Sequence, residues 1–147
     1  MTDSTSAERA LQDQFIALIR AFGLHRPEQT PCGEPVAVAE AHALLELSLA
    51  EPLSQNDLAS RLRLEKSTIS RLVTILERRA WITRTRSQHD RRVVELRLTD
   101  AGRQAAAQLS AARQVKFAHL LSALPPERHP MILEALRLLT EALYADH

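Results

Sequence analysis

One cysteine, Cys32, in 147 residues leaves no partner for an intrachain disulfide, which suits a reducing compartment such as the cytoplasm. Glycine is nearly as scarce, with three residues, and aromatic residues make up only 3%. Extensive sheet depends on aromatic and β-branched side chains, so an Ala- and Leu-rich chain this poor in them is expected to be mainly helical. No apolar run approaches the roughly 18 residues of a membrane span. Thr2 to Glu8 is polar and lacks the apolar core of a signal peptide. Glycine-rich phosphate loops, nucleophile elbows and metal-hydrolase motifs are also missing, so neither an enzyme nor a cofactor is expected. Nor does one sign of charge dominate, because the formal net charge is +1.

That near-neutral total hides a segregation. Eleven of the 19 Lys and Arg residues, but only five of the 18 Asp and Glu, lie between Leu53 and Leu98. A concentrated basic module releases counterions from a phosphate backbone, which supplies most non-specific affinity for nucleic acid. That basic module falls within the stretch from Leu53 to Arg103. Two helical patterns open it, Ser54 to Leu62 and Lys66 to about Arg79, joined by a tight connection through Arg63 to Glu65. In the second, Ile69, Leu72, Val73 and Leu76 recur at i, i+3, i+4 and i+7 and form a core face. The opposite surface carries Ser67, Thr68, Ser70, Arg71, Thr74 and Arg78, all able to donate to phosphates or base edges. A helix packed on one side and donor-rich on the other meets the requirement for a recognition helix.

Two segments of alternating pattern follow. Ile82, Arg84 and Arg86 alternate with Thr83 and Thr85, and Val94, Leu96 and Leu98 alternate with Val93, Glu95 and Arg97, the period of half-buried strands. Between them lies the polar, basic run Ser87 to Arg92. A hairpin closed there would project Arg91 and Arg92 in a geometry suited to an electronegative minor groove. Thr99 can then cap a further helix through the free N–H groups near Ala101 and Gly102. Trp81 is expected to pack at the corner between the recognition helix and the first strand.

In combination these patterns resemble the winged helix of the MarR (multiple antibiotic resistance regulator) transcription factors. LSQNDLASRL is similar to the first helix, KSTISRLVTILERRAWI to the recognition helix, and DRR followed by LTDAGR to the wing and its exit. The matched stretches span about a third of the chain and occur in the family's order. The resemblance implies that Asp90 steadies the wing by pairing with an arginine and that Arg91 or Arg92 enters the minor groove. It also implies that Ser67, Thr68, Ser70 and Arg71 face the major groove, with Gln55 and Arg61 contacting phosphates.

Helical arms flank the module. Leu11, Phe15, Leu18, Ile19 and Phe22 follow helical spacing from a start at Ser4 or Ser6 to an end near Gly23. His25 to Pro35 is a proline-rich loop, and Val38 to Leu49 resumes helix until Pro52. A long helix from Thr99 to about Leu124 is stopped by Pro125 and Pro126. The last helix, from near Pro126 or Glu127 to Tyr144, carries Met131, Ile132, Leu133, Ala135, Leu136, Leu138, Leu139 and Leu143. It has more apolar surface than one neighbour could cover, so a second chain is expected on it. The expected architecture is a winged helix-turn-helix with a two-stranded wing at residues 36–98. Residues 1–35 and 99–147 would form a helical dimerisation domain. Its partners would be double-stranded DNA, a second copy, and a small aromatic or lipophilic effector, as the resemblance implies.

Two readings of His25, Cys32 and His42 stand side by side, with Glu28, Glu34 and Glu40 between them. Zinc accepts Cys, His and carboxylate ligands, so Cys32 and His42 could serve a metal or thiol sensor. The spacing matches no compact ligand motif, and in the other reading Cys32 is an ordinary loop residue and His42 a partly buried polar tip. His119 stands alone on the long helix. His89, His129 and His147 carry no pattern.

Overall fold

The computed structural model describes residues 2–146; Met1 and His147, the outer ends of the two expected arms, lie outside them. In chain order the elements are α1 (Thr2–Phe22), α2 (Val38–Leu49), β1 (Leu53–Ser54), α3 (Gln55–Leu62), α4 (Lys66–Arg78), β2 (Ile82–Arg86), β3 (Val94–Leu98), α5 (Asp100–Ser122), a 3-10 turn (Pro126–Arg128) and α6 (His129–Ala145). Helix dominates, as the scarcity of glycine and aromatics required. The chain divides into two compact units within α5, the first ending at Ala112 and the second beginning at Arg113.

In the first unit the core is built by α2, α3, α4 and the sheet. Leu44, Leu47, Leu58, Ile69, Val73, Leu76, Ile82 and Leu96 are its largest fully buried side chains. Each contributes on the order of 2 kcal/mol by leaving water. The expected face of α4 is the buried one, with Ile69, Leu72, Val73 and Leu76 all inside. The α3–α4 connection is tight because Arg63 adopts the left-handed conformation at φ 55. Leu64 N then reaches back to Ala59 O at 2.9 Å, closing the helix end.

The expected two-stranded wing is present as β2 and β3, and β1 joins it to make a three-stranded antiparallel sheet in the order β1-β3-β2. Leu53 pairs with Leu96, and Ile82 with Leu98, so the apolar alternation faces the core. The two-residue β1 is too short to show a period in the sequence. It also moves the start of α3, because Ser54 stands outside it as the N-cap, its Oγ accepting from Asp57 N at 3.0 Å.

The corner after α4 ties the module together. Ala80 is left-handed at φ 59, and Trp81 N donates to Leu76 O at 3.1 Å. Trp81 is half-buried against the core, as expected, and the Arg79 guanidinium lies 4.9 Å above its ring. Arg79 Nε is also 3.2 Å from Oε2 of the buried Glu40 on α2. The contact is off the N–H axis, so it is an ion pair without a hydrogen bond. Thr99 caps α5 as the sequence suggests: its Oγ1 accepts from Gly102 N at 3.0 Å and donates to Ala80 O at 2.6 Å. A Cβ on Gly102 would sit 2.0 Å from Trp81 O, so this position has room only for hydrogen.

α1 begins earlier than Ser4 because nothing in Thr2 to Glu8 breaks a helix; Ser4 Oγ donates to Glu8 Oε1 at 2.9 Å within it. Its Leu11 and Leu18 are more than half exposed. In the second unit Pro126 opens a 3-10 turn before α6, and His129 Nε2 lies 3.1 Å from Leu124 O. No residue of α6 is buried, although Met131, Leu133, Leu136, Leu138 and Leu143 are large and apolar. Arg137 bridges Glu134 and Glu141 along the helix.

Candidate nucleic-acid interface

The surface of α4 opposite its core face carries the expected donor row. Ser67, Ser70, Arg71 and Arg78 are exposed and Thr68 is half-buried. Among the described residues the Arg71 guanidinium has no hydrogen-bond or ion-pair partner. An arginine fork exposed on a rigid helix can meet the O6 and N7 acceptors of a guanine edge-on. Thr74 is oriented differently. Its Oγ1 donates to Ser70 O at 3.0 Å and accepts from Arg84 Nη2 at 3.4 Å, so its hydroxyl is engaged within the protein.

Arg61 and Gln55 sit on α3 and are drawn into separate surroundings. Arg61 Nη1 is 3.3 Å from Glu46 Oε2 on α2, a pair at the surface with the Arg61 side chain 45% exposed. Gln55 is half-buried with Oε1 turned inside, where it meets no partner among the described residues. Gln55 and Asn56 share a cleft of about 100 Å³ with Arg92, Val93 and Val94. The fold thus brings Gln55 beside Arg92, 37 positions later in the chain.

The loop between β2 and β3 is closed by its own polar groups. Ser87 is buried, and its Oγ accepts from His89 N at 3.2 Å and Asp90 N at 3.4 Å. Asp90 Oδ1 accepts from Arg92 N at 3.0 Å and from Arg92 Nε at 3.1 Å, while Oδ2 accepts from Arg92 Nη2 at 3.2 Å. These bonds hold the Asp90 carboxyl below its ordinary pKa, the Arg92 side chain contributing most and its backbone N–H next. Arg86 Nη1 donates to Arg91 O at 2.8 Å and fixes the tip from below. The Arg91 guanidinium itself has no partner among the described residues. The pairing implied for Asp90 is therefore present, with Arg92 as the partner. Arg84, Arg86 and Ser87 are contributors that sequence reasoning did not single out. Their signals were the two-residue spacing of Arg84 and Arg86 on one strand face and the S-x-x-D run at the turn.

The loop and α2 candidates fare otherwise. Cys32 is half-buried and His42 is exposed rather than partly buried. Among the described residues no group of three or more His, Cys, Asp or Glu is gathered as a metal ion would need.

A donor-faced helix beside a self-closed basic hairpin is a winged helix, and comparison with known proteins agrees. A family model described as MarR family matches residues 35–93. Over 124 residues the chain is 30% identical to the HTH-type transcriptional repressor MdtR of Bacillus subtilis (strain 168), covering 83% of this chain and 80% of that one. The chain belongs to the MarR family. Among solved MarR-like folds, Streptococcus pneumoniae FabT in complex with DNA superposes with a TM-score of 0.77 at 19% identity, covering 98% of this chain and 99% of that one. The S. aureus MepR-DNA complex gives 0.68 at 25% identity over 73% of this chain and 80% of that one. The chain is thus a MarR-family transcription regulator with that family's winged helix. None of its helices is long and apolar enough to cross a membrane, among the described residues.

Proposed function

We propose that this MarR-family regulator is a cytoplasmic, homodimeric repressor that binds near-palindromic duplex DNA and is released by a small aromatic or lipophilic effector. The observation that carries the DNA reading is the unpartnered Arg71 fork on the exposed face of α4, next to a wing loop already closed by its own bonds. α4 enters the major groove with Ser67, Thr68, Ser70 and Arg71 toward the bases, and Gln55 and Arg61 serve the phosphates. Arg92 is the wing residue for the minor groove, because the Asp90 clamp fixes its fork and spares the entropy of ordering a long side chain. Arg91 reaches the adjoining phosphates. The exposed apolar residues of α1 and α6 support pairing with a second copy. A two-fold dimer sets two α4 helices in successive major grooves, about 34 Å apart, and makes the site a near-palindrome. The effector acts through its different affinity for the DNA-competent and incompetent states.

Fluorescence anisotropy tests this with the duplex upstream of the protein's own coding sequence and a scrambled duplex, at two salt concentrations. Tighter, salt-sensitive binding to the upstream duplex is expected. Arg71→Ala should lose roughly 1–3 kcal/mol on the preferred duplex and much less on the scrambled one. Equal losses on both would remove Arg71 from base reading, and no binding even at low salt would end the DNA proposal.

A further inference from the structure

Two arginines spaced two residues apart on β2, Arg84 and Arg86, bind different parts of the module. Arg84 stands opposite Leu96, a fully buried residue, yet keeps its guanidinium at the surface of α4. Its Nη2 donates to Thr74 Oγ1 at 3.4 Å and to Glu77 Oε1 at 3.3 Å. Two positions on, Arg86 holds the wing tip through Arg91 O at 2.8 Å. One strand thus grips the recognition helix with one arginine and the wing with the next. Thr74 fits its place in this link, since its proton is spent on Ser70 O and a lone pair remains for Arg84. Glu77 is the sole acid in the α4 sequence. Left alone, its carboxylate would repel phosphates lying along that face; Arg84 supplies the opposing charge from behind it.

We infer that Arg84 is a positioning residue for DNA reading, locking α4 to the wing strand through Thr74 and Glu77 so that the major-groove and minor-groove contacts are made in one fixed register. The inference rests on the DNA-binding proposal above and adds a specificity-determining residue that need not touch DNA. With side chains 29% and 45% exposed, the Arg84–Glu77 pair is open to water and adds little to overall stability, so its effect is expected on preference.

The test is a double-mutant cycle in the full-length protein. The probes are a duplex enriched by the wild-type protein from a random-sequence library and its scrambled counterpart. Arg84→Met and Glu77→Gln should each reduce the preference for the enriched duplex by roughly three- to tenfold, and the double variant should reduce it no further than Arg84→Met alone, because both remove the same link. The salt slope should stay at the wild-type value, whereas loss of a direct phosphate contact would lower it by about 0.9. Arg84→Lys keeps a nitrogen able to serve both oxygens and should restore most of the preference; with Glu77→Gln it gives a readout if Arg84→Met does not fold. Additive losses, a reduced slope, or an unchanged preference in both single variants would overturn the inference while leaving DNA binding intact. A wild-type protein that enriches no duplex would instead overturn the DNA-binding proposal, and this inference with it.

Discussion

Asp90 shows how one short side chain can organise a surface loop. Its two oxygens take three hydrogen bonds from Arg92, and its backbone N–H joins that of His89 on the buried Ser87 hydroxyl. Because these bonds favour the carboxylate, the folded pKa lies below the ordinary value of 3.8. A depressed carboxylate contributes fully above its unfolded pKa, and the contribution disappears as pH falls through the lower folded value. The clamp should therefore hold unchanged across the neutral range and open only in acid below 3.8. A 13C NMR titration of the Asp90 carboxyl checks this: the midpoint should lie below that of an exposed aspartate and move up toward it in Arg92→Ala. An unmoved midpoint in that variant would mean that Arg92 does not hold the carboxylate in solution. Arg71 is the counterpart, a side chain with no hydrogen-bond or ion-pair partner among the described residues. One arginine is held by its neighbour and the other is open to solvent.

At the scale of elements, the corner joining α4, β2 and α5 is the most demanding part of the module. Gly102 has Trp81 O within 2.0 Å of where a Cβ would stand, and the obstacle is backbone that cannot swing aside. Gly102→Ala should cost about 3 kcal/mol through overpacking, seen as a drop of roughly 10 °C in Tm for a chain of this size. A Tm within 2 °C of the wild type would mean that α5 can shift away from the corner without loss. Most of this architecture was legible beforehand. Ile69, Leu72, Val73 and Leu76 announce α4 by spacing alone, Thr99 announces the α5 cap, and the alternation on either side of Ser87 to Arg92 announces the wing. What escaped notice depends on contacts between segments. β1 is two residues long, below any period, and exists because Leu53 finds Leu96 across 43 positions. Thr74 reads as one more donor on α4 until Arg84 arrives from β2 to occupy it. Glu40 stands in the sequence only as one of the carboxylates around Cys32 and His42, yet it is buried beneath Arg79. Chain-distant partners leave no local pattern.

On the scale of the whole molecule, the polar reading surface and the large exposed apolar faces belong to different elements. α3, α4 and the wing hold the former, while α1 and α6 leave Leu11, Leu18, Met131, Leu133 and Leu143 more than half exposed. The pairing proposed for those faces makes Tm rise with protein concentration, as expected when the native state is an oligomer. Replacing Met131 and Leu133 together by Glu should convert a dimer into a monomer at micromolar concentration, measured by sedimentation equilibrium, and remove that dependence. A dimer that persists would place the partner-facing surface elsewhere. A separation of this kind has a genetic consequence. Under the proposed pairing and the proposed role of Arg71, an allele that loses Arg71 but keeps α6 intact would still enter mixed pairs with the normal product, sequestering good subunits in complexes with only one competent half. Such an allele would be dominant over the normal copy. One that loses the apolar face of α6 would be recessive.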